Sequence, residues 1–250
     1  MKFLRAALPA LSVVLAAGAA QAADDWEFSV SPFVWGPGIV GDGQVPPDGP
    51  SADIDITFKD ILSHITGAFM GTAEARYGRF GVLGDAAFVK FTVKPDVELG
   101  GTPVINSKVA VSTNATTIAG FGRVYESDRG SIDLLAGARY SDFKLKAGIS
   151  QPGQPGKTSE NEINNWQPMI GIRGDVRSGE HWTLAAYGDY AGLGDGNLKT
   201  WQAQATASYG FNEHSSLYGG VRVYNLEVRG RKVDSNLTMA GPIFGYRYTF

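Results

Sequence analysis

Phe244-Gly245-Tyr246-Arg247-Tyr248-Thr249-Phe250 carries an aromatic ring at every second position. In a β-strand, period two brings Phe244, Tyr246, Tyr248 and Phe250 to one face and leaves Arg247 on the other. A soluble domain rarely finishes by exposing such a stripe, whereas a barrel strand facing lipid requires it. The stretch therefore predicts an all-β fold, an antiparallel transmembrane β-barrel, and the rest of the chain can be tested against that expectation.

Met1 to Ala22 has the three parts of a cleavable secretory signal peptide: Lys2 and Arg5, an apolar run from Leu8 to Ala19, and the small-x-small site Ala20-Gln21-Ala22. The run is short for a membrane anchor. Residues 23–250 then form one domain, because no Pro/Ser-rich linker divides them. No later stretch approaches the ~18 consecutive apolar residues of a spanning helix. Insertion into lipid must then be as a closed barrel, which pairs all its backbone polar groups. The chain has no cysteine, which excludes thiolate metal sites and cysteine nucleophiles. A formal charge of −3, with no basic stripe, argues against nucleic acid as a partner.

Alternation marks ten strand-like segments, at 26–35, 67–77, 80–94, 108–126, 130–146, 165–177, 181–190, 200–211, 215–229 and 235–250. Short connections fall at 78–79, 127–129, 178–180 and 212–214. Longer or glycine-rich ones fall at 36–66, 95–107, 147–164, 191–199 and 230–234. Four tight turns at one end and five looser loops at the other suit short periplasmic turns and longer extracellular loops. Segments 181–190 and 200–211 are rich in alanine and glycine, so eight or twelve strands are the alternatives to ten.

Pairing across Gly78-Arg79 sets Tyr77 opposite Phe80, Ala75 opposite Val82 and Phe69 opposite Phe88 on one face. Arg76, Glu74 and Thr72 with Asp85 share the other. A three-residue turn at 127–129 is expected to set Val124 against Ile132 outside and Arg123 against Asp133 inside. Both hairpins send charge to the same interior, and a slip of one residue would turn every charge into lipid. A soluble barrel of the lipocalin kind would face its polar residues outward. Trp26 and Trp182 sit at the tight-turn ends of their strands, and Trp35, Trp166 and Trp201 at the loop ends. That distribution predicts two aromatic girdles at the headgroup levels, with Tyr77, Phe80, Tyr125 and Tyr209 reinforcing the periplasmic one.

Ser31-Pro32-Phe33-Val34-Trp35, Ala52-Asp53-Ile54-Asp55-Ile56, Phe58, Asp60-Ile61-Leu62, Ala68-Phe69-Met70 and Glu74-Ala75-Arg76-Tyr77-Gly78-Arg79-Phe80-Gly81 resemble, in that order, the opening of a family of proteobacterial outer-membrane β-barrel proteins, small and porin-like or OmpA-like. The resemblance is clearest over residues 26–90. The closing aromatics likewise resemble the terminal strand that outer-membrane barrels present to the assembly machinery. The resemblance implies the outer membrane of a Gram-negative bacterium. It also implies lipid, lipopolysaccharide and the barrel-assembly machinery as partners. It carries no settled activity and leaves the oligomeric state open.

Parity points Glu74, Arg76, Asp85, Arg123, Asp133, Arg139, Arg173, Asp175, Asp189, Arg222 and Arg247 into the lumen, joined by Gln167, Gln202 and Gln204. Eight strands enclose a lumen filled by side chains, and sixteen or more leave a wide channel. Ten strands with mixed charge therefore predict either a narrow channel for small solutes and ions, without strong selectivity, or a plug of paired charges. The plugged alternative is a structural or adhesin-like barrel whose first long loop binds a surface partner.

In that loop, Asp53, Asp55 and Asp60 are of the type that calcium prefers, but EF-hand spacing is absent. The favoured reading folds Ile54, Ile56, Ile61, Leu62 and Ile65 onto the barrel mouth, with no metal and no cofactor. His64, His181 and His214 are the only histidines. His64, near Ser63 and Asp60, is the one conceivable base. No strand-end pattern resembles the aspartate–histidine pair of omptin proteases or the His-x-Ser of barrel deacylases, so no catalytic residue is expected. Asn114-Ala115-Thr116 and Asn236-Leu237-Thr238 match the glycosylation sequon but fall in strands, and the glycines of 192–196 fit a hairpin loop rather than a phosphate cradle.

Overall fold

The computed structural model describes residues 26–44, 51–93, 97–99, 102–104, 107–149, 157–193, 196–229 and 234–250. The leader therefore lies outside the described residues. In chain order the elements are β1 (Trp26–Trp35), β2 (Gly38–Gln44), β3 (Ser51–Ile56), helix α1 (Phe58–His64), β4 (Ile65–Tyr77), β5 (Phe80–Val93), β6 (Val97–Leu99), β7 (Thr102–Val104) and β8 (Ser107–Ser127). There follow β9 (Gly130–Ile149), β10 (Lys157–Ser178), β11 (Trp182–Ala191), β12 (Leu198–Gly210), β13 (Ser215–Arg229) and β14 (Asp234–Thr249).

Ten antiparallel strands, in the order β1-β4-β5-β8-β9-β10-β11-β12-β13-β14, close into a barrel through β1–β14 pairing. Closure leaves no open edge where β1 runs between β14 and β4, as a lipid-spanning sheet requires; β3 is an edge on the loop side. The aromatic stripe of the last strand faces out, with Phe244 64% exposed, while Ile243 beside it is buried in the lumen. The Gly78-Arg79 hairpin has the register expected of it, Tyr77 opposite Phe80 and Thr72 opposite Asp85.

The next tight turn differs from expectation. Ser127 pairs directly with Gly130, so the connection has two residues rather than three, and Val124 is the extra residue of a bulge between Arg123 and Tyr125. Tyr125, not Val124, therefore faces Ile132. Without the bulge, a two-residue turn would set Arg123 opposite Leu134 on the lipid side. The inserted residue restores Arg123 opposite Asp133 in the lumen.

Within the 36–66 connection, residues 36–44 and 51–66 carry structure of their own. Pro37 has no N–H to offer a ladder, and there the first strand breaks into β1 and β2. Both follow β14, with Gly36 N donating to Pro242 O at the break. β1 pairs with β4 only as far as Pro32↔Gly71, and β2 takes β3 as its other neighbour. Helix α1 then returns the chain directly into β4 and contacts β5 and β2. Strands β8, β9 and β10 are the longest, with 21, 20 and 22 residues. Twenty residues tilted by about 45° rise roughly 45 Å, well beyond the apolar band of about 25 Å of a transmembrane barrel, and the excess lies on the loop side.

Candidate functional site

The candidate site is the lumen, which has three levels between the tight-turn end and the loop end. Nearest the tight turns, Arg123 of β8 donates from Nε to Asp133 Oδ1 (2.9 Å) and from Nη1 to Glu126 Oε1 (2.9 Å). Arg173 of β10 donates from Nε to Asp133 Oδ2 (2.9 Å), and its two terminal nitrogens hold Glu74 of β4 at 2.5 and 2.9 Å. The Arg173 guanidinium lies 4.3 Å from the centre of the Phe121 ring. Asp133, only 2% exposed, is thus shared between two arginines, which offsets its removal from water. Arg76 pairs with Glu27 at 2.9 Å, Asp175 accepts from Ser131 Oγ, and Arg247 Nε donates to Ser31 Oγ at 3.2 Å.

The middle level is buried at Arg139 and Asp189 and borders the cavity at Asp85, Gln202 and Arg222. Arg139 of β9, with no exposed surface, donates to Asp189 Oδ2 at 2.6 Å, Thr117 Oγ1 at 3.0 Å and Thr200 Oγ1 at 3.2 Å. Gln202 Nε2 donates to the same Asp189 oxygen, and Gln202 Oε1 accepts from Arg222 Nη2, each at 2.6 Å. Arg222 also reaches Asp85 across the lumen at 3.0 Å, and Asp85 takes a further hydrogen bond from Thr72. Two arginines and two aspartates balance, so no unpaired charge is buried. Gln167 lies just beyond, donating to Leu198 O.

An apolar cap fills the loop end. Phe33, Trp35, Ile39, Met70, Val89, Phe91, Tyr224, Leu226, Met239 and Ile243 form one buried cluster, and Ile61 of α1, 2% exposed, enters it from above. Aromatic faces of the cap meet the arginines beneath, with Arg222 5.4 Å from the Phe33 ring centre and Arg139 5.6 Å from that of Tyr224. On the tight-turn side of the middle level, a cavity of about 350 Å³ is lined by the Glu74, Arg123, Asp133 and Arg173 cluster and reaches Asp85, Gln202 and Arg222.

All eleven predicted lumen charges lie on the interior wall, eight of them in two clusters of four, with Arg76, Asp175 and Arg247 apart from both. Trp35 is a correction. Its place at the loop end predicted a headgroup girdle, yet it points inward at 8% exposure and donates from Nε1 to Arg222 O at 3.2 Å. Its parity with Ser31 and Phe33, both also inward, is the signal that end position overrode. Trp26, Trp166, Trp182 and Trp201 are exposed on the outer face. Glu126, Thr117, Thr200 and Tyr187 were missed as members of the networks. Glu126 sits in a hairpin where the bulge shifts parity, and the strand parity of Thr117, Thr200 and Tyr187, the same that places Gln202 inside, is the signal that could have found them.

Among the described residues no group of three or more His, Asp or Glu is placed to hold a metal. Asp55 is exposed, and the side chains of Asp53 and Asp60 lie outside the described residues. His64 Nδ1 and Ser63 Oγ are 2.9 Å apart on the exposed end of α1, sequence neighbours in solvent rather than a buried pair. His181 stacks on Tyr209 and His214 contacts Thr249 O, both at the tight-turn end.

No protein-family model matches the chain, and no curated protein matches it in sequence. Among solved structures, the outer membrane protease OmpT of Escherichia coli is similar over 91% of this chain and 97% of its own, with a TM-score of 0.58 at 11% identity. The translocator domain of the autotransporter NalP from Neisseria meningitidis aligns over 98% and 96%, with a TM-score of 0.41 at 11% identity. Ail, the attachment invasion locus protein of Yersinia pestis, aligns over 90% and 99%, with a TM-score of 0.39 at 12% identity. Such identities speak for architecture and not for activity. The chain has the fold of the bacterial outer-membrane β-barrels.

Proposed function

We propose that the protein is a closed, non-enzymatic barrel of the Gram-negative outer membrane, with its tight turns in the periplasm and its long connections outside. In this reading it anchors and displays the β2–β3 hairpin, α1 and the raised ends of β8–β10 to a surface partner. Lipopolysaccharide and lipid surround it, and the assembly machinery reads its last strand. One observation carries the reading: the hydrogen-bonded Arg139–Asp189–Gln202–Arg222–Asp85 layer, with an apolar cap above it. An ion crossing that layer would have to displace paired charges and then shed its water against Phe91, Met239 and Ile61.

A narrow diffusion channel is the second reading. It is favoured by the 350 Å³ cavity, which already hollows out the tight-turn half of the lumen. It would need both the cap and the charged layer to move. Single-channel recording of the folded barrel in a planar bilayer separates the two. Silence from a heat-modifiable, correctly folded barrel is expected. Reproducible current steps that change on neutralising Arg139 or Asp85 would replace the closed reading with the channel.

A further inference from the structure

We infer that the tight-turn cavity binds a small acidic saccharide, of one or two rings, on the wall formed by β12, β13 and β14. On the opposite wall Arg123, Arg173, Asp133 and Glu74 hold one another, and of its charged groups only Arg177, at the rim, lacks a side-chain partner among the described residues. The β12–β14 wall is different. Gln204, Thr206, Ser216 and Tyr218 line the cavity with no side-chain hydrogen-bond partner among the described residues, and Arg247 has only Ser31 Oγ, through Nε. They form one patch, because Ser208 pairs with Tyr218, Ser216 with Arg247, and Tyr218 with Gly245.

Gly245 shapes that patch. A Cβ there would collide with the Tyr218 ring, so only glycine lets the ring lie flat across β14. The result is an aromatic plate set in a polar wall, beside an amide that both donates and accepts, hydroxyls, and a guanidinium with free terminal nitrogens. Sugar rings are recognised by that combination: their C–H faces stack on an aromatic plate while their hydroxyls take neighbouring amides and hydroxyls. A carboxylate or phosphate on the ring suits the terminal nitrogens of Arg247. A volume of about 350 Å³ is at the small end for ligand pockets, which limits the ligand to one or two rings. The inference does not depend on whether the barrel conducts.

The test is calorimetric titration of the folded barrel, in a detergent without a sugar headgroup, with glucuronic acid and with glucose. Saturable binding of glucuronic acid, tighter than that of glucose, is expected. Arg247→Gln should weaken it by about tenfold or more, the loss that accompanies one charge-assisted hydrogen bond. Tyr218→Ala should do the same, and Glu162→Gln, at the far end of the barrel, should change nothing. If Tyr218→Ala fails to fold, Gln204→Ala replaces it, since that side chain holds no other part of the barrel. The inference is overturned by the absence of saturable heat, by equal affinity for the two sugars, or by binding that survives Arg247→Gln.

Discussion

Arg173 of β10 grips Glu74 of β4 with both terminal nitrogens, at 2.5 and 2.9 Å, although 99 residues separate them in the chain. The two strands stand four apart around the barrel, so the pair spans the lumen rather than a neighbouring ladder. Through Nε the same arginine also holds Asp133, which in turn holds Arg123.

Asp133 should therefore be the most sensitive member of this cluster. Asp133→Asn removes the buried carboxylate that both arginines share, leaving Arg173 with Glu74 and Arg123 with the half-exposed Glu126, and should cost roughly 2–3 kcal/mol. Glu126→Gln should cost under about 1 kcal/mol, because that carboxylate is half exposed, at 53%. Urea-dependent folding into lipid vesicles, followed by tryptophan fluorescence, measures both. Similar midpoints for the two variants would mean that the cluster is too hydrated for burial to matter.

In the middle level, either Arg139→Met or Asp189→Leu alone should destabilise by roughly 3–5 kcal/mol, since each strands its partner. The double variant should recover much of that loss, although Gln202 and Tyr187 also donate to Asp189 and keep the recovery partial. A double-mutant cycle by the same folding assay reads the coupling.

Ile61 seals the loop end. Ile61→Ala should lower stability by about 2–4 kcal/mol, yet leave a planar bilayer silent, because the charged layer beneath is intact. Combining Ile61→Ala with Arg139→Ala should open a conducting path. Current from the Ile61 variant alone would place the only barrier in the cap.

Gly78 has φ = +55° and nothing within 4 Å of where a Cβ would stand, so a side chain there meets only backbone strain. Gly78→Ala should cost about 1 kcal/mol. Gly78→Asn should cost less, because asparagine tolerates the left-handed region. Equal losses would indicate a steric rather than a conformational cause.

On the raised ends of β9 and β10, the hydrogen bond from Lys144, 2.8 Å away, holds the Glu162 carboxyl below the ordinary carboxylate range. The same bond holds the Lys144 ammonium above the ordinary lysine value. With a depressed folded pKa, the Glu162 contribution is present above the ordinary glutamate pKa and lost as the pH falls through the lowered one. That of Lys144 is present below the ordinary lysine pKa and lost as the pH rises through the raised one. Side-chain NMR titration of Glu162 should show a low midpoint that returns to the ordinary range in Lys144→Met.

Ten strands, four tight turns and the inward charges were legible because period two is a local property: a strand's own residues declare which face is apolar. The legibility failed where a local rule was broken or a long-range one took over. At Val124 one bulged residue shifted the parity of the hairpin. At Trp35, position along the strand suggested the headgroup level, while the strand's parity put the ring inside over Arg222. The 36–66 connection showed its alternating stretch and its helical turn, but not that α1 would send Ile61 into the lumen.

By itself, then, the sequence determined the inward face of the charged strand residues, because a wrong register would bury charge in hydrocarbon. Only the tertiary structure decided which lumen residues meet. Glu74 with Arg173 and Asp85 with Arg222 are pairings across the barrel, set by closure and by how far each side chain reaches. The same closure brought Ile61 and Phe91 together above Arg139 and shut the loop end, an outcome that no single strand's alternation contains.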